Sequence, residues 1–168
     1  MALEAISTQT PRLFHVNFRT GEKQKTLDMI CGGEVTLYIE PVAPDFQLLL
    51  CGGGHCSKAI LRVCEGLEFK TIVVEDRPDF GNKERFPNVD QVVCCPYDEM
   101  SRHLDITPET FVMIVTAGHL GDYTCLKQVL NSPACFIAMI GSKTKWATIR
   151  KKLENDGFSQ EQIDRIHC

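Results

Sequence analysis

The chain has 168 residues, 43% hydrophobic and 24% charged, with a formal net charge of -4 and a pI near 5.7. That length suits one well-packed domain with a small appendage, and the acidic balance excludes bulk attraction to nucleic acid or anionic membrane. No apolar run approaches a membrane span and "MALEAISTQTPRLF" lacks a charged-then-apolar leader, so the expectation is a cytoplasmic protein.

In chain order, "RLFHVNF" (12–18) alternates in part and "EVTLYIEP" (34–41) is β-branched and aromatic, which predicts two strands. The polar "GEKQKT" and the "CGG" at 31–33 are turns, and "EPVAPDF" (40–46) is a linker. From residue 46 strand and helix patterns alternate. "FQLLLC" (46–51) is a continuous apolar run, as a strand buried on both faces requires. Ile60, Val63, Cys64 and Leu67 then fall on one helical face. "KTIVVE" (70–75), "QVVCC" (91–95), "FVMIVTA" (111–117) and "CFIAMIG" (135–141) are further strands. A helix burying Tyr123, Leu126 and Leu130 follows residue 117, and Ser142 caps another with Trp146, Ile149 and Leu153 inward, ended by Gly157. "SQEQ" (159–162) has capping-box spacing and opens a last short helix that runs to Cys168. The fold class is therefore α/β: a doubly wound, Rossmann-like parallel sheet over 45–168, preceded by a small β-rich N-terminal segment over 1–44.

The nine cysteines include no C-x-x-C pair, so reduced thiols are expected rather than a disulfide framework or a structural zinc site. In "LLLCGGGHCSKAI" (48–60), Gly52 and Gly54 stand where a backbone turns tightly and then approaches a ligand, with Gly53 between them. Ser57 takes the third small position, and the helix amino end behind them suits a phosphate. Glu75 and Asp76 follow at the end of the next strand, where a carboxylate commonly accepts hydrogen bonds from a ribose. Three uses stay open: a dinucleotide, another phosphate-bearing ligand, or a turn that holds nothing. Arg77 is placed to accept an extra phosphate, and His55 stands inside the turn where dinucleotide sites often carry a small residue. His119 and Asp122 in "TAGHLGD", with Gly141, Ser142 and Lys143 in "GSK", complete a polar ring at the same sheet edge. Cys31, followed by Gly32 and Gly33, is a thiol in a bendable turn; an ordinary turn cysteine and a functional one both fit.

"MICGGEVTLYIEP", "LLLCGGGHCSKAI", "VVEDRPDF", "TAGHLGDYTCL" and "MIGSKTK", in this order and spacing, resemble the XdhC/CoxI family of xanthine dehydrogenase accessory proteins over roughly residues 12–168. The resemblance implies a maturation factor that binds molybdenum cofactor (molybdopterin) as cargo and delivers it to a xanthine dehydrogenase-like molybdenum hydroxylase client. A cysteine desulfurase would be a further partner through sulfuration of the cofactor. On that reading Gly52, Gly53 and Gly54 take the phosphate or nucleotide, and His55 and Lys143 add charge. Asp76 takes polar groups on a sugar or pterin, and Cys31 approaches the metal as a soft ligand. No bond-making step is required, so a non-catalytic chaperone is expected. The rivals are an NAD(P)-dependent oxidoreductase using the same turn and a scaffold with a vestigial site. Family members usually carry a longer front section and continue past the final helix, so the chain is expected to be shortened at both ends. A homodimer, a partner subunit or a separate chain would then supply the missing pieces.

Overall fold

The computed structural model describes residues 3, 5, 8, 10–17, 33–41 and 46–168. The chain divides into two compact units, Met1–Pro44 and Asp45–Cys168. In the first, β1 (Arg12–Asn17) pairs antiparallel with β2 (Glu34–Ile39), Arg12 opposite Ile39 and Asn17 opposite Glu34. His15 Nδ1 and Thr36 Oγ1 meet across this pair at 2.9 Å. The expected "GEKQKT" turn, Cys31, Gly32 and most of the linker lie outside the described residues.

The second unit runs β3 (Gln47–Cys51), α1 (His55–Val63), β4 (Lys70–Glu75), β5 (Gln91–Cys94) and a 3₁₀ helix (Tyr97–Arg102). It continues with β6 (Thr110–Ile114), α2 (His119–Val129), β7 (Phe136–Met139), α3 (Lys143–Asn155), α4 (Gln160–Asp164) and β8 (Ile166–His167). The six strands form one sheet in the order β5-β4-β3-β6-β7-β8, and every pairing is parallel. Chain order reverses between β3 and β6, whose last residues Cys51 and Ile114 are paired. In such a sheet ligands bind beyond the carboxyl ends at this reversal.

Strand alternation sends side chains to two faces. Leu49, Cys51, Ile72, Val74, Val112, Ile114, Ile137 and Met139 join one core with Leu126 and Val129 of α2, Ile149 and Leu153 of α3 and Ile163 of α4. Leu48, Leu50 and Val73 face the other way, under Ile60 and Leu61 of α1 and the buried Phe86 and Val89 of the β4–β5 connection. Each fully buried Leu or Ile side chain contributes about 1.5–3 kcal/mol by leaving water. Helices thus cover both faces, as expected of a doubly wound sheet.

Two expectations are corrected. Val63 is 81% exposed and Leu67 58% exposed; α1 ends at Val63 and the chain turns through Gly66 at φ +92°. The inward face of α1 is therefore Ile60, Leu61 and Cys64. The last helix stops at Asp164 instead of Cys168, and Ile166 pairs with Ile137 as a sixth strand. The capping box is present: Ser159 Oγ accepts the Gln162 amide at 3.2 Å and Gln162 Oε1 accepts the Ser159 amide at 3.0 Å. A two-residue strand has no periodicity to read, and only its pairing with β7 defines it.

Candidate functional site at the carboxyl edge of the sheet

The glycine turn leaves β3 at the reversal point. Gly52 has φ +117°, and a Cβ there would lie 2.5 Å from the Val115 carbonyl oxygen. A side chain is excluded on both counts. Gly53 is held as tightly, since its Cβ would lie 2.4 Å from the Phe80 carbonyl oxygen. Gly54 differs. It is the N-cap of α1 with ordinary φ -76°, and a Cβ would meet no atom of the described residues within 4 Å. The fold itself does not require glycine at 54, whereas a ligand seated there would.

Ser57, fully buried, donates its hydroxyl to the Gly52 carbonyl and ties α1 back onto the turn. No side chain caps α1, and its first turn holds no acidic residue. The amides of Gly54, His55 and Cys56 have no acceptor among the described residues. They form an uncompensated group of donors at the positive end of a helix dipole.

The turn is fixed from the neighbouring strand by Glu75, which is fully buried. Its Oε2 accepts the Gly53 amide at 2.6 Å. Arg77 Nε donates to Oε1 at 2.7 Å and Arg77 Nη2 to Oε2 at 3.1 Å. Burial alone would raise the Glu75 carboxyl, but the hydrogen bonds from Arg77, Asp76 and the Gly53 amide outweigh it and hold the carboxyl at about 2. Arg77 also lies over the Phe80 ring at 4.0 Å. From the same connection Arg85 Nε donates to the Gly53 carbonyl at 2.8 Å.

Asp76, the residue after Glu75, is 46% exposed, and its Oδ1 lies 3.8 Å from Arg77 Nε. Burial, then its hydrogen bond to Glu75 and that group's charge, raise its carboxyl above the ordinary range. It lines a cleft of about 760 Å³ with Tyr97, Leu120, Gly121, Tyr123 and Lys127. Tyr97 is 6% exposed, and its hydroxyl has no partner among the described residues. Burial, with Glu75 nearby, pushes its ionisation upward, so it stays a neutral donor and acceptor. Gly121 makes room for that ring, because a Cβ would lie 3.2 Å from Tyr97 Cε2.

On the far side of the reversal, Asp122 is fully buried on α2. Its Oδ1 accepts the Thr116 amide at 3.2 Å and the Thr116 hydroxyl at 2.7 Å. Its Oδ2 is paired with Lys145. Ser142 caps α3 by accepting the Lys145 amide at 3.2 Å. His119 begins α2 on the surface and shares a cleft of about 490 Å³ with Ser142, Lys145 and Lys152. Lys143 begins α3 and is exposed, outside that cleft lining. Gly141 is exposed beside Lys145 and Cys168, and a Cβ there would lie 3.1 Å from Lys145 Cδ. His55 is exposed at the start of α1. Gly33 is exposed ahead of β2, with no described residue within 4 Å of where its Cβ would lie, while Cys31 and Gly32 lie outside the described residues.

The structure thus gathers Gly52, Gly53, Gly54, His55, Asp76 and Arg77 around one turn and His119, Ser142 and Lys145 around a second. Sequence reasoning passed over Tyr97, Arg85 and Lys145. Lys145 had a usable signal: it stands three residues after the cap, one helical turn inward, whereas Lys143 is the first helical residue. Tyr97 and Arg85 come from connections without periodicity. Of the nine cysteines, Cys51, Cys95 and Cys125 are buried while Cys94, Cys135 and Cys168 are exposed. Burial, and then the adjacent Cys51 thiol, push the Cys125 thiol up, which leaves it inert.

Residues 48–168 match the XdhC Rossmann domain. The chain is 28% identical over 169 aligned positions to the Escherichia coli (strain K12) protein YqeB, covering 99% of this chain and 30% of YqeB. It is 21% identical to a protein of Bacillus subtilis (strain 168) described as a probable xanthine dehydrogenase subunit, covering 65% of this chain and 33% of that protein. The chain therefore spans about a third of the length of these curated relatives. Among crystal structures, a xanthine dehydrogenase from Bacillus halodurans superposes with a TM-score of 0.60 at 19% identity, over 89% of this chain and 54% of that one. The NAD(P)-binding domain of an exopolyphosphatase-related protein from Archaeoglobus fulgidus superposes with a TM-score of 0.52 at 15% identity, over 63% of this chain and 81% of that one. At these identities both likenesses concern the fold.

Proposed function

Because the chain belongs to the XdhC family and carries its Rossmann domain over residues 48–168, we propose that it is a carrier of molybdenum cofactor for a xanthine dehydrogenase-like client. The cargo's phosphate, or the nucleotide extending it, seats on the amides of Gly54, His55 and Cys56. The observation that carries this reading is the contrast within the turn. Gly52 and Gly53 are forced by the protein's own contacts, while Gly54 faces space that no described residue fills. Chemically the site is a preorganised anion cradle: the Glu75–Arg77 clamp holds the loop, and the helix dipole and bare amides supply the attraction.

The chain's residues bind and release; no proton or bond need move. His55 and His119 on the surface, and Lys145 through the Asp122 turn, shape the approach to the two helix ends. Purification from a host that makes the cofactor, with molybdenum and pterin measured on the isolated protein, tests this. Both are expected with the unmodified chain and both fall at least tenfold with Gly54→Asp, whose charge and bulk enter the cradle. Neither appearing with the unmodified chain would end the reading, as would steady NAD(P)H turnover.

A further inference from the structure

The connection from β4 to β5 departs from the ordinary parallel crossover. Such a crossover commonly carries a helix, but residues 76–90 form none. In its place the buried Phe86 and Val89 fill part of the space beside α1. They leave a groove of about 430 Å³ between α1 and residues 85–90, whose apolar lining includes Leu61, Phe69, Phe86 and Val89.

The charge of this groove opposes that of the chain. The protein carries -4 overall, yet three cations, Lys58, Arg62 and Arg85, line the groove against two carboxylates, Glu65 and Asp90. Asp90 is already committed, since its Oδ2 accepts the Thr71 amide at 2.7 Å and the Thr71 hydroxyl at 2.8 Å. Glu65 follows the end of α1. The Lys58 ammonium and the Arg85 guanidinium lie 5.9 Å and 5.8 Å from the centre of the same Phe86 ring, and Arg62 stands one helical turn after Lys58. None of the three is paired with a carboxylate among the described residues. Arg85 donates only its Nε, to the Gly53 carbonyl at 2.8 Å. Like charges one turn apart repel, and an anion between them would turn that repulsion into charge-assisted hydrogen bonds.

The apolar side continues past the groove. Leu67, on its lining, is 58% exposed. The Phe69 ring meets Phe46 edge-on at 6.5 Å, and Phe46 is 53% exposed. One exposed apolar side chain is ordinary, but here a strip of them leads away from a cationic end. A small anion would use the cations and leave the strip bare, whereas a stretch of polypeptide covers both.

We infer that this groove docks a segment of a partner protein in which acidic residues adjoin apolar ones. Its carboxylates seat among Lys58, Arg62 and Arg85, and its apolar side chains run over Phe86 and Leu67 towards Phe46. The inference goes beyond the cargo reading and does not rest on it. The docked carboxylate would nonetheless lie close to the glycine turn, because the Gly53 carbonyl that Arg85 holds belongs to the same peptide group as the Gly54 amide.

The probe is a synthetic pentapeptide of two aspartates followed by leucine, phenylalanine and leucine, titrated into the full chain by calorimetry. One control has lysines in place of the aspartates, and another has serines in place of the apolar residues. The first peptide should bind roughly tenfold more tightly than either control and weaken as salt rises. Arg62→Glu and Lys58→Glu should each weaken it several-fold without lowering the melting temperature, and Leu67→Asp should do the same from the apolar end. Cys64, a half-buried free thiol on the groove lining, should react more slowly with iodoacetamide when the peptide is bound, while the exposed Cys168 keeps its rate. Absence of binding, equal binding of either control, indifference to Arg62→Glu, or a Cys64 left unprotected overturns the proposal. Molybdenum and pterin content reads the cradle separately, so either conclusion can fall while the other stands.

Discussion

At residue scale, two nearby positions with the same side chain do different work. Gly52→Ala forces a Cβ against the Val115 carbonyl at a φ of +117° and should cost about 3 kcal/mol. Gly54→Ala meets nothing among the described residues and should change unfolding free energy by no more than about 0.5 kcal/mol. It should nonetheless weaken anion binding, and urea melts alongside ligand titrations separate the two effects. Glu75 makes a pH prediction. Its carboxyl is lowered from 4.5 to about 2, so the stability it provides is complete above 4.5 and drains away as the pH falls towards 2. Asp76, raised by burial and by Glu75, works in the opposite sense, over a range that begins at its ordinary 3.8 and runs upward. The stability gap between the unmodified chain and Glu75→Gln should therefore be widest near neutral pH and close below 4.5, as urea unfolding at stepped pH would show. Both acids fitted the spacing of a ribose-binding carboxylate. Sequence could not say that Glu75 turns inward, because the Gly53 amide it accepts comes from the preceding strand–helix turn, distant along the chain.

At the scale of elements, the strand–helix alternation was legible because β3, β4, β6 and β7 are continuous apolar runs and α2 and α3 have inward faces at helical spacing. What was not legible depends on contacts distant in sequence. β8 exists through its pairing with β7, and Val63 lies outside because α1 ends there. The paired test on α3 uses its two early lysines. Lys145→Met strands the buried Asp122 carboxylate and should cost about 3–5 kcal/mol. Lys143→Met, on the exposed first position, should stay within about 0.5 kcal/mol. Reversal of that order in chemical denaturation would show that Lys145 does not hold the β6–α2 turn. Ser159→Ala should cost about 1 kcal/mol by removing the capping box of α4.

At the scale of the whole molecule, the chain is an XdhC Rossmann domain preceded by a small β-paired unit. Among the described residues no helix is long and apolar enough to cross a membrane. The family was legible because its glycine turn, acidic strand end and second helix turn keep their order along the chain. Cys31, which the family resemblance implies approaches the metal, lies outside the described residues. If the cargo reading holds, saturating the domain at a hundred times its dissociation constant should add about 2.7 kcal/mol to its stability. Calorimetric scans with and without released cofactor measure this.

The clamp on the turn also writes an isotopic pattern into three consecutive amides. Gly53's proton is shut against a buried carboxylate, so it should trade for deuterium only when the sheet itself opens. The protons of Gly54 and His55 should trade within seconds, then slow once an anion arrives. Mass or NMR readout of those positions would report occupancy of the cradle directly, without a label on the cargo.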